Sequence, residues 1–294
     1  MHWSLKAALV ATLCSGCPIT NPVASDAGTD APPVDAPACQ QGQACDCRAS
    51  SVLPAGTHWV GADYGTGMIG PVHRVTLTRS VWVATYESSA GCYRACVESG
   101  ACTTPQLTVG PIWPALPDAY WRDPQFADLP IMGLAPEQAD AYCAWLGGRL
   151  PTNAEWEKLA RGEDGREMPW LSAPENPRFP GLPTRERDRA LWCEHALGPI
   201  ECGEDLPAAV DTLAAGRGPY GHHHLVGNAL EYVRDGLAAY SASDRVDPLD
   251  APDSENRLVR SLFGYGYQRD AYLFAGPTVG VRCAFDTEPE LLAR

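Results

Sequence analysis

The sequence predicts a loop-rich, disulfide-stabilised fold built from short helices and short strands. Glycine and proline contribute 28 and 27 of the 294 residues, which favours turns over long regular elements. No stretch keeps a helical period long enough for a helical bundle, whereas several segments alternate apolar and polar residues as half-buried strands do. The 12 cysteines are too many for a typical cytosolic protein and indicate an oxidising compartment.

The first residues give a reason for this cysteine content. Residues 1–17, MHWSLKAALVATLCSGC, place Lys6 before an apolar run that is too short to span a bilayer, as in a secretion signal. Ser15 and Gly16 directly precede Cys17, so the segment resembles a bacterial lipoprotein signal with Cys17 as the lipid anchor. An ordinary signal peptide that is cut nearby is the alternative. Pro18 is not the aspartate associated with inner-membrane retention, so an outer-membrane or cell-surface location is expected.

Residues 18–50 read as an acidic tether rich in proline and alanine that ends in a small cysteine cluster, and residues 51–294 read as the folded domain. The cluster CQQGQACDC is interpreted as disulfide-forming rather than zinc-binding, because the compartment is oxidising and no second ligand pair is evident. A net charge of −14 argues against nucleic acid as a partner, because no basic stripe exists to displace counterions.

The domain opens with strand patterns. THWVGADYG (57–65) and VHRVTLTRSVWVATYE (72–87) alternate in polarity as antiparallel strands do. GCYRACVESGAC (91–102) then predicts a short helix with Tyr93 and Val97 facing inward and an end at Gly100. Its two final cysteines, Cys96 and Cys102, are close enough to clip the helix end to its loop.

A pair of helices follows near the middle of the chain. Pro136 suits the first turn of a helix, and Ala139, Tyr142, Cys143 and Leu146 form one apolar stripe that ends before two glycines. Thr152 and Glu155 form a capping box that starts the second helix, whose inner face is Trp156, Leu159 and Ala160. Cys143 therefore lies on a buried face, where a structural role is favoured over a nucleophilic one.

The last third of the chain carries three more patterns. Segments 222–236 and 256–267 read as strands, and VGVRCAFD (279–286) reads as one final apolar strand. Cys193 and Cys202 could close a small loop. The partners of Cys39, Cys45, Cys47 and Cys92 are not assigned by spacing.

In this order, the motifs resemble those of the formylglycine-generating enzyme family, also called the sulfatase-modifying-factor domain. The resemblance covers residues 52–286 and rests on VHRVTLTRSVWVATYE, on the block from LPIMGLAPEQADAYCAWLGG to DGREMPW, on YGHHHLVGNALEYVRD and on VGVRCAFD. It implies an α+β domain with little regular secondary structure, related to C-type lectins. It also implies a disulfide between Cys143 and Cys283.

The resemblance further implies a copper site, because these enzymes bind copper through two cysteines that follow an R-G-G-S-like strand and oxidise a sulfatase cysteine. Copper(I) requires such soft thiolates. Here no cysteine lies between Arg260 and Cys283, and Ser261 and Leu262 replace the glycine pair. We therefore expect the chain to lack this oxidase activity.

Two other metal hypotheses concern residues 222–231. The family's calcium ion implies Gly227, Ala229 and Glu231 as ligands, but His224 occupies the asparagine position and imidazole is a poor calcium ligand. A capping or salt-bridged Glu231 is the alternative, and calcium is the cofactor that this hypothesis implies. On an extended strand, His222 and His224 would share a face and could meet a transition metal with help from Glu231 or Asp235; simple solvation of the histidines is the alternative.

Tyr265, Tyr267, Arg269 and Tyr272 follow the segment that lacks copper ligands and are candidates for lining a groove, or else for surface packing. The sequence thus predicts a lipoprotein, held on the membrane through Cys17, that acts as a binding or accessory module. Its ligand would be a peptide, a glycan or a protein. The alternative is a metal-dependent oxidoreductase of the same fold with histidine ligands.

Overall fold

Small sheets and short helices joined by long loops make up the domain. The computed structural model describes residues 46–62, 69–107, 109, 115–171, 189–190, 206–252, 257–263, 266–271 and 278–290. The predicted α+β, loop-rich architecture is confirmed in these residues. In the same residues, no helix is both long enough and apolar enough to cross a lipid bilayer.

The strands that the structure describes belong to three sheets. In chain order they are β1 Ser50–Leu53, β2 Gly56–Val60, β3 His73–Leu77, β4 Val81–Ala84, β5 Leu230–Gly236, β6 Arg245–Val246, β7 Arg257–Phe263, β8 Gly266–Ala271, β9 Val279–Gly280 and β10 Ala284–Phe285. The sheets have the strand orders β1-β4-β10, β2-β3-β6 and β8-β7-β5-β9. The predicted antiparallel pair is β2 and β3, in which Trp59 lies opposite Arg74.

Within the described ranges, three α-helices pack beside these sheets: α1 Ala90–Glu98, α2 Pro136–Trp145 and α3 Asn153–Arg161. The predicted stripe of α2 is buried, and its residues Ala139, Tyr142 and Cys143 have no exposed surface. At the start of α3, the Glu155 N–H donates to the Thr152 hydroxyl, and the Thr152 N–H donates to the Glu155 carboxylate at 2.7 Å. This is the predicted capping box. Short 3-10 turns at Tyr120–Arg122, Pro124–Phe126 and Ala214–Gly216 occur in the loops.

Three disulfides brace the described part of the chain, in agreement with the prediction of a disulfide-stabilised fold. Cys143 pairs with Cys283 and so joins α2 to the residue before β10. Cys96 pairs with Cys102 at the end of α1. Cys47 pairs with Cys92, a connection that the sequence left open. Cys47 and strand β1 therefore belong to the folded part, although the predicted tether extended to residue 50.

Two strand predictions were wrong in detail. The strand expected over residues 222–236 begins only at Leu230, because His224 and Asn228 adopt left-handed backbone conformations with φ of 55° and 57°. A strand needs extended φ values, so the chain turns there instead. The final apolar run forms two strands, β9 and β10, which belong to different sheets and are separated by Val281–Cys283.

Candidate functional site

A buried ion pair between Glu231 on β5 and Arg282 is the centre of a polar cluster inside the domain. The Arg282 Nη2 donates to Glu231 Oε1 at 2.6 Å, and Nε donates to Oε2 at 3.0 Å. The two side chains are 1% and 0% exposed. Charges at this depth are tolerated only when they are paired and hydrogen-bonded, so the geometry of the pair is fixed by the surrounding fold.

The remaining N–H groups of Arg282 reach three backbone carbonyls. Nη1 donates to the oxygens of Ala84 and Thr85 at 2.9 and 3.0 Å, and Nη2 donates to His223 O at 2.8 Å. One guanidinium thereby joins the end of β4 and the loop that contains residues 222–224, which we call the histidine loop, to β5. Because five N–H donors in a planar fork can serve several acceptors at once, arginine suits this position better than lysine.

Helix α3 supplies the next member of the cluster. The indole Nε1 of Trp156 donates to Glu231 Oε2 at 2.6 Å. Glu231 thus accepts hydrogen bonds from α3 and from the link between β9 and β10, and this is the salt-bridged role that the sequence offered as the alternative to a calcium ligand. We refer to Glu87, Trp156, Asn228, Glu231 and Arg282 together as the Glu231 cluster.

Glu87 and Asn228 hold the turn that precedes β5. The Ala229 N–H donates to Glu87 Oε1 at 2.9 Å, and the Asn228 side-chain amide donates to Glu87 Oε2. Asn228 also bonds both backbone groups of Ala208 through its side chain. Asparagine is one of the few residues that adopt the left-handed conformation readily, which suits it to this turn.

Glu87 is 2% exposed and lies beside a cavity of about 10 Å³, which is room for about one water molecule. Tyr142 and the Cys47–Cys92 disulfide also line this cavity. Burial, together with the negative charge of Glu231, raises the pKa of Glu87 to about 8, and Arg282 offsets this only in part. Glu87 therefore keeps its proton at neutral pH, and the cluster holds one ion pair and one neutral carboxyl group.

This protonation gives a testable dependence of stability on pH. Because the pKa of Glu87 is about 8 in the folded chain against 4.5 for the free group, the folded state binds the extra proton between these values. The contribution of Glu87 to the free energy of unfolding is present at low pH. It falls by about 1.4 kcal/mol per pH unit as the pH rises through that window. Relative to the wild type, the Glu87→Gln variant should therefore gain stability steadily from pH 4.5 to 8 in urea unfolding. A constant difference across the window would contradict the assignment.

The histidine loop lies deep in the protein. His222 and His224 are 0% and 4% exposed, so the expectation that they are solvated is wrong. The Nε2 of His222 contacts Val83 O at 3.1 Å, whereas that of His224 contacts Ala209 O at 3.1 Å. Burial is the largest of the effects that lower the pKa of each of these two imidazole rings to about 3, so both rings are neutral at physiological pH. Each Nδ1 has no hydrogen-bond partner in the described part of the chain.

These contacts bear on the two metal hypotheses. The rings of His222 and His224 contact backbone carbonyls of two different segments, and the backbone of His224 is not extended. The transition-metal hypothesis relied on both rings lying on one face of an extended strand. This loop has no such face. The N–H groups of Gly227 and Ala229 donate to Ser261 and Glu87. Among the described residues, no three histidine, cysteine, aspartate or glutamate side chains converge as a metal group. A calcium ion held by Gly227, Ala229 and Glu231 stays a prediction.

Strand β7 precedes the segment that lacks copper-binding cysteines, and its Arg260 is part of the core. Arg260 on β7 is fully buried; its Nη1 donates to Asn153 Oδ1 at 2.9 Å and its guanidinium carbon lies 4.9 Å from the Trp156 ring centre. Its Nη2 lies 3.5 Å from Glu157 on α3, which also pairs with Arg161 at 2.8 Å. Arg260 therefore anchors β7 to α3 and is positioned as a structural residue.

Several predicted site residues fall elsewhere. Tyr265 and Tyr272 lie outside the described residues, and Tyr267 and Arg269 lie on β8, of which only the backbone is described. Cys17, Cys39, Cys45, Cys193 and Cys202 also lie outside the described residues. Sequence reasoning missed Glu87, Asn228 and Arg282. Glu87 ends the apolar strand pattern VATYE, and Arg282 lies within the apolar pattern VGVRC. A charged residue in such a pattern is unusual, and this signal could have identified both.

The chain also resembles proteins that are known. The family profile described as "Sulfatase-modifying factor enzyme 1-like domain" matches residues 36–287. The formylglycine-generating enzyme of Bos taurus is 28% identical over 208 residues, which cover 62% of this chain and 53% of that protein. The inactive C-alpha-formylglycine-generating enzyme 2 of Mus musculus is 30% identical over 193 residues, covering 58% and 56% respectively. The chain thus spans about half the length of these curated relatives.

A solved structure extends the comparison to the fold. The Treponema denticola variable protein 1 superposes with a TM-score of 0.58 at 17% sequence identity, and the match covers 81% of this chain and 95% of that one. At this identity the similarity concerns the arrangement of the backbone alone. The short strands, the three helices and the loops between them therefore follow a fold that other proteins also adopt.

Proposed function

The chain belongs to the sulfatase-modifying factor enzyme 1-like family, and from this premise we propose that it is a cell-envelope lipoprotein whose domain binds a ligand or assists another protein without acting as a copper-dependent cysteine oxidase. The chemistry of the cysteines supports this proposal. Residues 261–282 contain no cysteine, and Cys283, which follows them, is bonded to Cys143. Copper(I) requires free thiolates, so this segment does not fit the metal.

The other described cysteines are also engaged. Cys47, Cys92, Cys96 and Cys102 form the remaining two disulfides in the part of the chain that the structure describes. A cysteine sulfur in a disulfide is no longer a thiolate, so it neither binds copper(I) as a thiolate ligand nor attacks a substrate as a nucleophile. One relative is named an inactive formylglycine-generating enzyme, which supports the idea that this scaffold can be kept without the oxidase activity.

The members of the Glu231 cluster are buried and hydrogen-bonded to one another or to nearby backbone groups. Its contacts join β4, β5, α3 and the histidine loop, so we assign it the role of holding the scaffold. The surface of the domain is then where ligand binding would take place. Lipid attachment at Cys17 would hold that surface near the membrane, with the acidic tether as a spacer.

The test is an assay for conversion of a cysteine to an aldehyde in a sulfatase-derived peptide. Protein purified without a histidine tag would be incubated with copper(I), oxygen and the peptide, and the product followed by mass spectrometry. We expect no aldehyde, whereas the Bos taurus enzyme should convert the same peptide. Conversion by this protein would overturn the proposal. Stoichiometric iron or copper that disappears in the His224→Ala variant would favour the alternative, a metal-dependent oxidoreductase.

A further inference from the structure

The Cys47–Cys92 disulfide joins a partly exposed turn to the start of a helix. Cys47 belongs to the turn over residues 46–49, in which the Ala49 N–H donates to Asp46 O at 2.9 Å, and it is half-buried. Cys92 is buried as the third residue of α1. Thiol–disulfide exchange depends on which sulfur a thiolate can reach, so an incoming thiol would attack Cys47 and displace Cys92.

The position of Cys92 favours it as the sulfur that leaves. Ser89 caps α1 by accepting the Cys92 N–H at 3.2 Å, so Cys92 lies in the first helical turn, at the positive end of the helix dipole. Thiols at helix N-termini have a lowered pKa, and thiolates of lower pKa leave a disulfide faster. Negative charge that is released at Cys92 is therefore stabilised by the helix.

The other two described disulfides have the opposite placement. Cys96 and Cys143 are each the third residue from the end of their helices, α1 and α2, where the helix dipole is negative. Attack at Cys102 would release Cys96 at that unfavourable end, and neither Cys143 nor Cys283 has exposed surface. Among the three described disulfides, only Cys47–Cys92 combines an accessible residue with a favoured leaving group.

The cavity beside this disulfide contains a hydroxyl group that suits a thiolate. Tyr142 is fully buried and lines the cavity together with Cys92. Its hydroxyl makes no hydrogen bond of normal geometry in the described part of the chain, although the Ser88 side chain lies nearby. A buried donor without an acceptor is costly, and a thiolate at Cys92 would supply an acceptor. Glu87 keeps its proton at neutral pH, so it adds no charge that would oppose this thiolate.

Two opposite charges flank Cys47. The Asp46 carboxylate accepts the Arg48 N–H at 2.9 Å, and the Arg48 side chain donates to Glu290 O at 3.1 Å. An incoming thiolate thus meets one anion and one cation, whose effects offset each other. Cys47 therefore lacks the favourable electrostatic setting that the helix gives to Cys92.

The turn that carries Cys47 also forms part of the cavity wall, to which Asp46, Cys47 and Ala49 contribute. Directly after the turn, the Thr85 N–H donates to Ala49 O at 2.9 Å, and β1 pairs with β4 from Ser50 onwards. Loss of the disulfide would therefore release the turn while β1 stays in its sheet. The opened cavity would admit water, which reduces the cost of a thiolate at Cys92.

We propose that Cys47–Cys92 is a redox-sensitive disulfide, which a dithiol reductant opens so that the turn over residues 46–49 leaves the cavity wall. One thiolate of the dithiol attacks Cys47 Sγ, the bond between Cys47 and Cys92 breaks, and its electron pair leaves on Cys92 Sγ. The second thiolate then attacks the reductant sulfur of the mixed disulfide, and Cys47 leaves. The dithiol is oxidised to a disulfide, and the two cysteines take up the two protons that the dithiol lost.

Reduction of the full chain in a series of dithiothreitol concentrations tests the order in which the disulfides open. Free thiols are alkylated at each concentration, and peptide mapping by mass spectrometry gives the reduced fraction of each disulfide. We expect Cys47–Cys92 to be half reduced at a concentration at least about tenfold below that for Cys96–Cys102 or Cys143–Cys283, while the circular dichroism spectrum is unchanged. If either of the other disulfides opens before Cys47–Cys92 or together with it, the proposal is overturned.

A matched pair of variants separates the leaving-group argument from simple exposure. Cys47→Ser leaves the Cys92 thiol free, and Cys92→Ser leaves the Cys47 thiol free. The alkylation rate of Cys92 should reach half its maximum at least about one pH unit below that of Cys47. Adding Tyr142→Phe to Cys47→Ser removes only the hydroxyl and should move the Cys92 profile to higher pH. Equal profiles for the two thiols, or no effect of Tyr142→Phe, would contradict the proposal.

Discussion

The Arg282→Met variant is expected to lose about 3–5 kcal/mol of unfolding free energy, as found when one partner of a buried ion pair is removed. The Glu231 carboxylate would remain buried without its cation, and the carbonyls of Ala84, Thr85 and His223 would lose the hydrogen bonds that Arg282 donates. The loss would be measured by urea unfolding monitored by circular dichroism at neutral pH. An unchanged midpoint would show that the pair does not hold these segments together.

Two further variants separate the ion pair from general damage. The double variant Arg282→Met with Glu231→Leu removes both charges and should recover part of the stability, because an apolar pair avoids the cost of a lone buried charge. Glu98→Gln breaks the exposed pair with Arg94, where the atoms are 3.8 Å apart, and should change stability by less than about 1 kcal/mol.

Removal of the Cys143–Cys283 disulfide is expected to have an effect of similar size. The two residues are 140 positions apart, and a crosslink over a loop of that length is worth about 5 kcal/mol in the chain-entropy model. Replacing both cysteines with serine avoids a free thiol that could form a wrong pair. Thermal unfolding of the oxidised variant under non-reducing conditions gives the measurement.

The Cys96–Cys102 disulfide provides the control, since it closes a separation of only 6 residues and should contribute about 2 kcal/mol. Both bridges are internal to the same domain, so the two double-serine variants differ mainly in loop length. If the short bridge proved as important as the long one, loop closure would not be the reason for the stability of this fold.

The helix pair and its surroundings show how far local pattern reaches. The stripe on α2, the glycines that end it and the capping box of α3 were all visible in the sequence, because each depends on residues within a few positions of one another. The same was true of β2 and β3, whose alternation of polarity survives in the structure. The Cys143–Cys283 connection was implied only by family resemblance, since spacing alone does not define connectivity.

The histidine loop shows where local pattern stops. Three consecutive histidines suggested a strand and a solvated or metal-binding face, but the positive φ of His224 and the burial of all three side chains gave a different result. A short polar run has no period that distinguishes a buried loop from an exposed one. Its environment is set by Val83, Ala209 and Thr212, which are distant in the sequence or lie in a segment without pattern.

The sequence by itself determined the family, the loop-rich fold class, the two central helices and the lack of cysteines after Arg260. Each of these depends on residue identity, on order along the chain or on short periods. Only the tertiary structure showed that Glu231 pairs with Arg282, that Glu87 is buried beside it, and that Trp59 and Arg74 share an exposed face. Such contacts form between segments that lie far apart in the sequence, and hydrogen-bond partners at that range are chosen by packing of the whole domain.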